Sequence, residues 1–525
     1  MYATGLHRRS LLMAGASALA GCASALATGA APGSAGTVEA DAEFRELVQR
    51  LASRERVARP FLIRQFGAER LTPEGRILYE ATLPGAEADA ALARSDWGEY
   101  GAPYAVTSRN GNYRRAAEMN PNDVLAIAVR EVNRDTTRLA AEQARGVIAP
   151  DFAIQSALRD LDSAIARVSA AGPDRQVLAD AIIVQRETLA SQLPRAPSEP
   201  GLWRLPGGEE YYAHTLKIAL GASVDPREAH QRALARCRDL QREADALLRA
   251  QGLTSGGVGE RLRALMRDPR YLDSVDDAGA TRTLLAMSGN LSRVRSRLRD
   301  VIAGGDSDAD TPAEVGRLPR AQENNGTAGR RSGQNYLIDL GAPRPSWTLP
   351  SVAHHELIPG HVLQSYFERR AAPLLELQVR YAGGYSEGWA IYAEQLADEI
   401  GGFEDDPLGR IGYLQWMLFR YGRIVADTGI HVMRWNRQRA IDELRALQGD
   451  SIAFVTIEDD VMRFAVQPGL YAAQGLAAMH IGDLRETTRR SARDFTLLRF
   501  HDAMLRHGPL SPPGLTQAAR AEFTA

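Results

Sequence analysis

The sequence predicts a large, mostly α-helical fold with a few short strands. Apolar residues return at three-and-four spacing over most of the chain, as in Leu158, Leu161, Ile165 and Val168. Turn signals such as Leu71-Thr72-Pro73-Glu74, Asn120-Pro121-Asn122-Asp123 and Ala171-Gly172-Pro173 cut these runs into helix-sized lengths. Strand-like stretches are scarce, the clearest being Asn335-Tyr336-Leu337-Ile338-Asp339-Leu340. With 525 residues, 44% apolar and 24% charged, the chain has the composition of an ordinary globular body with ample core. A net charge of −2 argues against nucleic acid as a partner, since phosphate-binding surfaces carry a basic excess. Lys217 is the only lysine, so the positive charge is nearly all arginine, which reads as compositional bias.

The N-terminus reads as an export segment over residues 1–21. His7-Arg8-Arg9-Ser10 supplies positive charge, Leu11 to Leu19 is too short for a membrane span, and Leu19-Ala20-Gly21-Cys22 forms a lipoprotein cleavage box. Arg8-Arg9 also suits twin-arginine export, and the sequence leaves that route and the general one open. Lipidation at Cys22 would anchor the protein to the bacterial envelope, facing the periplasm, with residues 22–40 as a flexible tether rich in Ala, Gly, Ser and Thr. Only Cys237 then remains, so no intramolecular disulfide can form; a thiol in a helical run, Glu228 to Gln251, reads as structural.

Residues 41–195 read as an N-terminal helical region that either flanks the active site or stands apart from it. The prolines at 194, 197, 200 and 206 mark the boundary with a second region, 196–525. That region holds helices entered at Ser223-Val224-Asp225-Pro226 and running from Ala278 to about Val301, then a polar stretch, 304–333, that reads as a mobile loop or a substrate-facing flap. The strand at 335–340 follows, placed either to bind extended substrate by edge pairing or to pack beneath the next helix.

Ser351 to Gln364 carries the chemistry, with His354, His355, Glu356 and His361 within eight residues of an otherwise apolar run. The comparison is the His-Glu-x-x-His helix of zinc peptidases, in which two histidines four apart bind metal and the glutamate activates water. Here the second histidine comes six residues after His355. At about 100° per residue a regular helix would turn His361 roughly 120° away, so Pro359-Gly360 must break the turn and restore the alignment. Downstream, Tyr385-Ser386-Glu387 opens a helix predicted to run to Gly401-Gly402, with Ser386 as its cap and Glu394 two turns beyond Glu387. Catalytic zinc takes three protein ligands and a water, so His355, His361 and Glu387 complete one site, expected at one zinc per chain, with Glu356 as general base. Glu394 either orients a ligand histidine or replaces Glu387 as the third ligand. His354 is a further candidate beside the site.

A long helical stretch, Ile411 to Trp435, sets Arg420, Arg423, Asp427 and His431 at three-and-four spacing on one face. His431 is read as a catalytic residue that stabilises an oxyanion, Asp427 as its partner or a ligand's, and Arg420 or Arg423 as holding a substrate carboxylate. Tyr385 and Tyr471 are weaker oxyanion candidates.

The blocks His355-Glu356-x-x-Pro359-Gly360-His361-x-x-Gln364, Glu387-Gly388-Trp389-Ala390-x-Tyr392-Ala393-Glu394 and Asp427-Thr428-Gly429-Ile430-His431 resemble the bacterial "domain of unknown function 885" proteins. The resemblance extends more weakly over about 200–515, through Leu205-Pro206-Gly207-Gly208-x-x-Tyr211-Tyr212 and Phe500-His501. It implies a relationship to mostly helical glutamate-zinc peptidases. One departure follows Pro468-Gly469, where the family usually carries Gln and then Tyr-Lys and this chain has Leu470, Gln474 and Gly475.

The expected function is therefore zinc-dependent hydrolysis of amide bonds in short peptides. The alternatives are a non-peptide amide or ester hydrolase on the same site, and an inactive binding lipoprotein. Amino- against carboxypeptidase action and oligomeric state are not legible in the sequence.

Overall fold

The computed structural model describes residues 36–99, 101–118, 124–304, 311–324, 328–450, 452 and 455–523. The expected export segment and Cys22 lie outside them. Residues 38–40, expected to belong to the tether, are helical: a helix starts at Val38, capped by Thr37, whose hydroxyl accepts from the Ala40 amide at 3.1 Å.

The fold is mostly helical, as the periodicity predicts. Nine helices and one sheet matter for the site: α1 (Gly75–Ala93), α2 (Gly208–Leu220), α3 (Pro226–Ala250), β1 (Glu314–Arg317), β2 (Gly329–Ser332), β3 (Asn335–Ile338), α4 (Leu349–Glu356), α5 (His361–Glu368), α6 (Tyr385–Glu399), α7 (Pro407–His431), α8 (Ile457–Val466) and α9 (Leu470–Ser491). Helix α7 is the axis. It starts on Asp406, whose carboxylate accepts from the Gly409 amide at 2.8 Å, with Pro407 in the first turn where a missing N–H costs nothing. Apart from Arg420, every residue from Ile411 to His431 is buried, and α3, α9 and α4 pack around it. A helix buried on all sides is central to the fold.

The largest core cluster runs from Leu92 to Ala478, so residues on both sides of position 195 share it. A second cluster lies under α4, α5 and α6. A third joins the first helices to Leu375, Leu377 and Tyr381, just ahead of α6. Helices α6 and α9 touch closely at Gly388, where a Cβ would stand 2.6 Å from that of Ala477.

Two expectations change here. The stretch 304–333 holds two strands, β1 and β2, and these flank β3 in the order β1-β3-β2, with β1 parallel and β2 antiparallel to it. Strand β3 is therefore central, both its edges are satisfied, and it cannot pair with an extended ligand. The histidine segment is two helices rather than one kinked helix: α4 stops at Glu356 and α5 starts at His361. Gly360 makes the corner possible, since a Cβ there would lie 1.9 Å from the His355 carbonyl oxygen. Gly360→Ala is expected to cost on the order of 1–3 kcal/mol, read as a lower urea midpoint at unchanged slope.

Candidate metal centre

The break between α4 and α5 brings His355 and His361 face to edge, ring centroids 4.9 Å apart at 84°. Glu387, in the first turn of α6, completes the group. One oxygen stands 3.5 Å from His355 Nε2 and the other 3.5 Å from His361 Nε2. The donor atoms of these three residues all lie within 4.8 Å of one another. Tetrahedral ligands about 2.0–2.1 Å from a zinc ion stand about 3.4 Å apart, so the spacing suits such an ion with a fourth position left over.

Each imidazole is held from behind. Glu394, two turns along α6 and fully buried, accepts from His355 Nδ1 at 2.9 Å, and its other oxygen accepts from the Ser351 hydroxyl at 2.5 Å. Arg420 lies against the same ring, Nη2 at 3.2 Å from Nδ1, with its Nε 3.5 Å from Glu394. On the other side, His361 Nδ1 lies 3.3 Å from the Gln364 side-chain oxygen, which also accepts from the Ser386 hydroxyl at 3.2 Å. The Gln364 amide then donates to Glu368 at 2.7 Å. With the NH₂ donating to Glu368, the Gln364 oxygen is the atom turned toward His361. That oxygen engages Nδ1, so Nε2 is the nitrogen left to face Glu387 and to bind a metal.

Sequence reasoning missed Ser351, Gln364, Glu368 and Ser386 as parts of this arrangement. The available signal was spacing, since Gln364 and Glu368 follow His361 at three and then four residues on one helix face. Ser386 is not the α6 cap it was expected to be; Gly384 precedes the helix and the hydroxyl turns to Gln364 instead.

The electrostatics follow from this crowding. Burial and Arg420 push the His355 imidazolium down, but hydrogen bonds to Glu387 and Glu394 win and raise it to about 9. Burial would raise the Glu387 carboxyl, yet hydrogen bonds from the two histidines hold it well below the usual range. Glu356 is outside the donor set. Its carboxylate reaches toward the open side, 3.4 Å from Arg331 Nε on the edge strand β2.

The other candidates lie elsewhere. His354 points away from the donors, Nδ1 3.2 Å from the Ile358 carbonyl and its ring edge-on to Phe403, and burial lowers it to about 4. Tyr385 donates to the Met504 carbonyl at 2.9 Å inside the core. Arg423 is bound by both oxygens of Asp460, so it has no free fork for a ligand carboxylate. Tyr471 donates to Gln467 at 3.3 Å.

His431 is not an oxyanion donor. Its Nδ1 accepts from the Leu202 amide at 3.1 Å, its Nε2 donates to the Phe464 carbonyl at 3.0 Å, and its ring stacks on Tyr212. It follows Arg420 by eleven residues, about 16 Å along the helix. Asp427 does not touch His431 or a donor; it accepts from Tyr212 at 2.6 Å and from the Gly469 amide at 3.1 Å.

Burial raises Asp427 to about 7, against the pull of its hydrogen bonds. The folded value lies above the unfolded one, so the unfolded chain releases this proton first. Stability from this group is therefore lost as pH rises from about 4 to about 7 and is level above that, on the order of 4 kcal/mol in all. Asp427→Asn is expected to remove that slope, so its stability relative to the parent should rise across this window in urea titrations at stepped pH.

Comparison with known proteins places this geometry in context. The model of the family described as bacterial protein of unknown function, DUF885, matches residues 126–518. A crystal structure of a "putative lipoprotein" from Colwellia psychrerythraea aligns with TM-score 0.70 at 23% identity, over 92% of this chain and 90% of that one. The structure of a "putative lipoprotein of unknown function" from Shewanella oneidensis aligns with TM-score 0.64 at 17% identity, over 92% of this chain and 99% of that one. At these identities the two structures establish a shared fold. No curated protein matches the chain.

Proposed function

We propose, for a chain that belongs to the DUF885 family of bacterial proteins, a zinc-dependent hydrolase that cleaves amide bonds of short peptides. The observation carrying this reading is the pair of imidazoles whose Nε2 atoms face one carboxylate at 3.5 Å while each Nδ1 is anchored from behind. Bound zinc would supply Lewis acidity and lower the pKa of a water.

The chain's own residues do the rest. His355, His361 and Glu387 would hold the ion, with Glu394 and Gln364 orienting the two rings from behind. Glu356, next to His355 and on the open side, takes the proton from the attacking water and returns it to the leaving amine. Extended substrate finds its sheet edge at β2, the outer strand carrying Arg331, since β3 is enclosed. The motif around Cys22 and the lipoprotein descriptions of the two structural neighbours support export and lipid anchoring, facing the periplasm. Among the described residues no helix is long and apolar enough to cross a membrane.

Metal content is the deciding measurement. About one zinc per chain is expected, lost in His355→Ala and kept in Glu356→Gln. Gln364→Ala should bind zinc about 10- to 100-fold more weakly, because His361 loses the partner that sets its tautomer. A protein that takes up no metal when zinc is supplied would overturn the hydrolase and leave a binding lipoprotein.

A further inference from the structure

One turn back along α4 from His355 and Glu356 lies a partly open cavity of about 520 Å³, lined in part by residues of α4, α7 and the small sheet. That is large enough for a substantial side chain and falls in the range of small-ligand pockets. Its walls lead to the candidate metal centre from three directions.

On α4 the lining residues Leu349 and Val352 share a face with Glu356. On the helical wheel Val352 falls between His355 and Glu356, about 60° from one and about 40° from the other. On α7 the lining residue Trp416 sits one turn before Arg420, whose guanidinium lies 5.1 Å from the Trp416 ring and also touches His355. On the sheet the lining residue Tyr336 pairs in register with Arg331, which reaches Glu356 at 3.4 Å. The cavity is thus the immediate continuation of the site along α4, one helical turn back from the proposed base.

The lining also indicates what fits. Of the lining residues, Trp416 and Ile452 belong with Phe419 to a small apolar cluster against which the lining residues Val352 and Met266 pack. The charges on the wall are engaged: Arg267 with Asp450 at 2.7 Å, and Arg344 with the Asp339 carboxylate at 4.0 Å and its carbonyl at 3.0 Å. An ionic group would meet no unmatched counter-charge there, whereas an aromatic or branched aliphatic group would meet aromatic and aliphatic walls.

We propose that this cavity receives a large apolar side chain, aromatic above all, from a substrate residue adjoining the scissile bond. The proposal rests on the hydrolase reading and adds to it the class of peptide that the site selects.

The test uses full-length protein in detergent, loaded with zinc and carrying Glu356→Gln so that peptides bind without turnover. Calorimetry compares Ala-Ala-Ala with the three tripeptides bearing a single Phe, and with Ala-Glu-Ala and Ala-Lys-Ala. Phe at one position is expected to tighten binding on the order of 10- to 100-fold, with no such gain for Glu or Lys. Val352→Trp, which fills the cavity from α4, should erase most of that ratio, and Ile452→Trp, which fills it from another wall, decides the matter if the first variant does not fold. Equal binding of all peptides, with Ala-Ala-Ala still cleaved by the protein that keeps Glu356, would overturn the proposal and spare the hydrolase reading. Absence of both binding and cleavage for every peptide would overturn both.

Discussion

Glu356→Gln should lower kcat for peptide hydrolysis by on the order of 10²- to 10⁴-fold while leaving zinc content and KM nearly unchanged. Glutamine has the size of glutamate but cannot take the proton of the attacking water. The substitution leaves His355, His361 and Glu387 in place, because Glu356 is not one of the three converging donors. It also removes the charge facing Arg331, which lies 3.4 Å from the carboxylate at the protein surface, a contact of small energetic weight. Loss of turnover would therefore report proton transfer rather than structure. A variant retaining half of the parent kcat would remove Glu356 from the mechanism. Loss of zinc together with activity would instead make it a determinant of the metal site.

Asp89→Ala is expected to destabilise the protein by about 3–5 kcal/mol, the largest single stability effect foreseen. Asp89 in α1 is fully buried and is bound by Arg56 Nε at 2.6 Å, Arg59 Nη1 at 2.8 Å and the Tyr381 hydroxyl at 3.0 Å. Removing the carboxylate takes the counter-charge from the buried Arg59 guanidinium and one partner from Arg56. Arg59 keeps backbone acceptors at Leu51 and Ala52, so its charge, more than its hydrogen bonding, is left unmatched. Tyr381 ties this network to the segment that enters α6 four residues later, and so to Glu387. Urea denaturation of parent and variant at neutral pH reads the effect directly. A loss under 1 kcal/mol would mean that water reaches the arginines once the carboxylate is gone.

Local sequence determined the parts of this protein that a few helical turns can specify. Apolar spacing announced a helical fold. His355 and His361, six apart, required a break, and Pro359-Gly360 stood where the break occurs. Glu387 and Glu394, seven apart, had to share one face of α6, which is why one can face both imidazoles while the other stands behind His355.

Tertiary structure alone decided the rest. Arg420, Arg423, Asp427 and His431 do form one row, but α7 is enclosed, so each residue of that row meets whatever element packs over it. Arg420 meets His355, Arg423 meets Asp460 of α8, Asp427 meets Tyr212 of α2, and His431 meets Leu202 and Phe464. The Ser386–Gln364–His361 contacts and the Arg331–Glu356 approach likewise join segments more than twenty residues apart. Periodicity fixes which side chains share a face because backbone hydrogen bonds repeat locally. The partner that face meets depends on how distant segments pack, and no local rule encodes that.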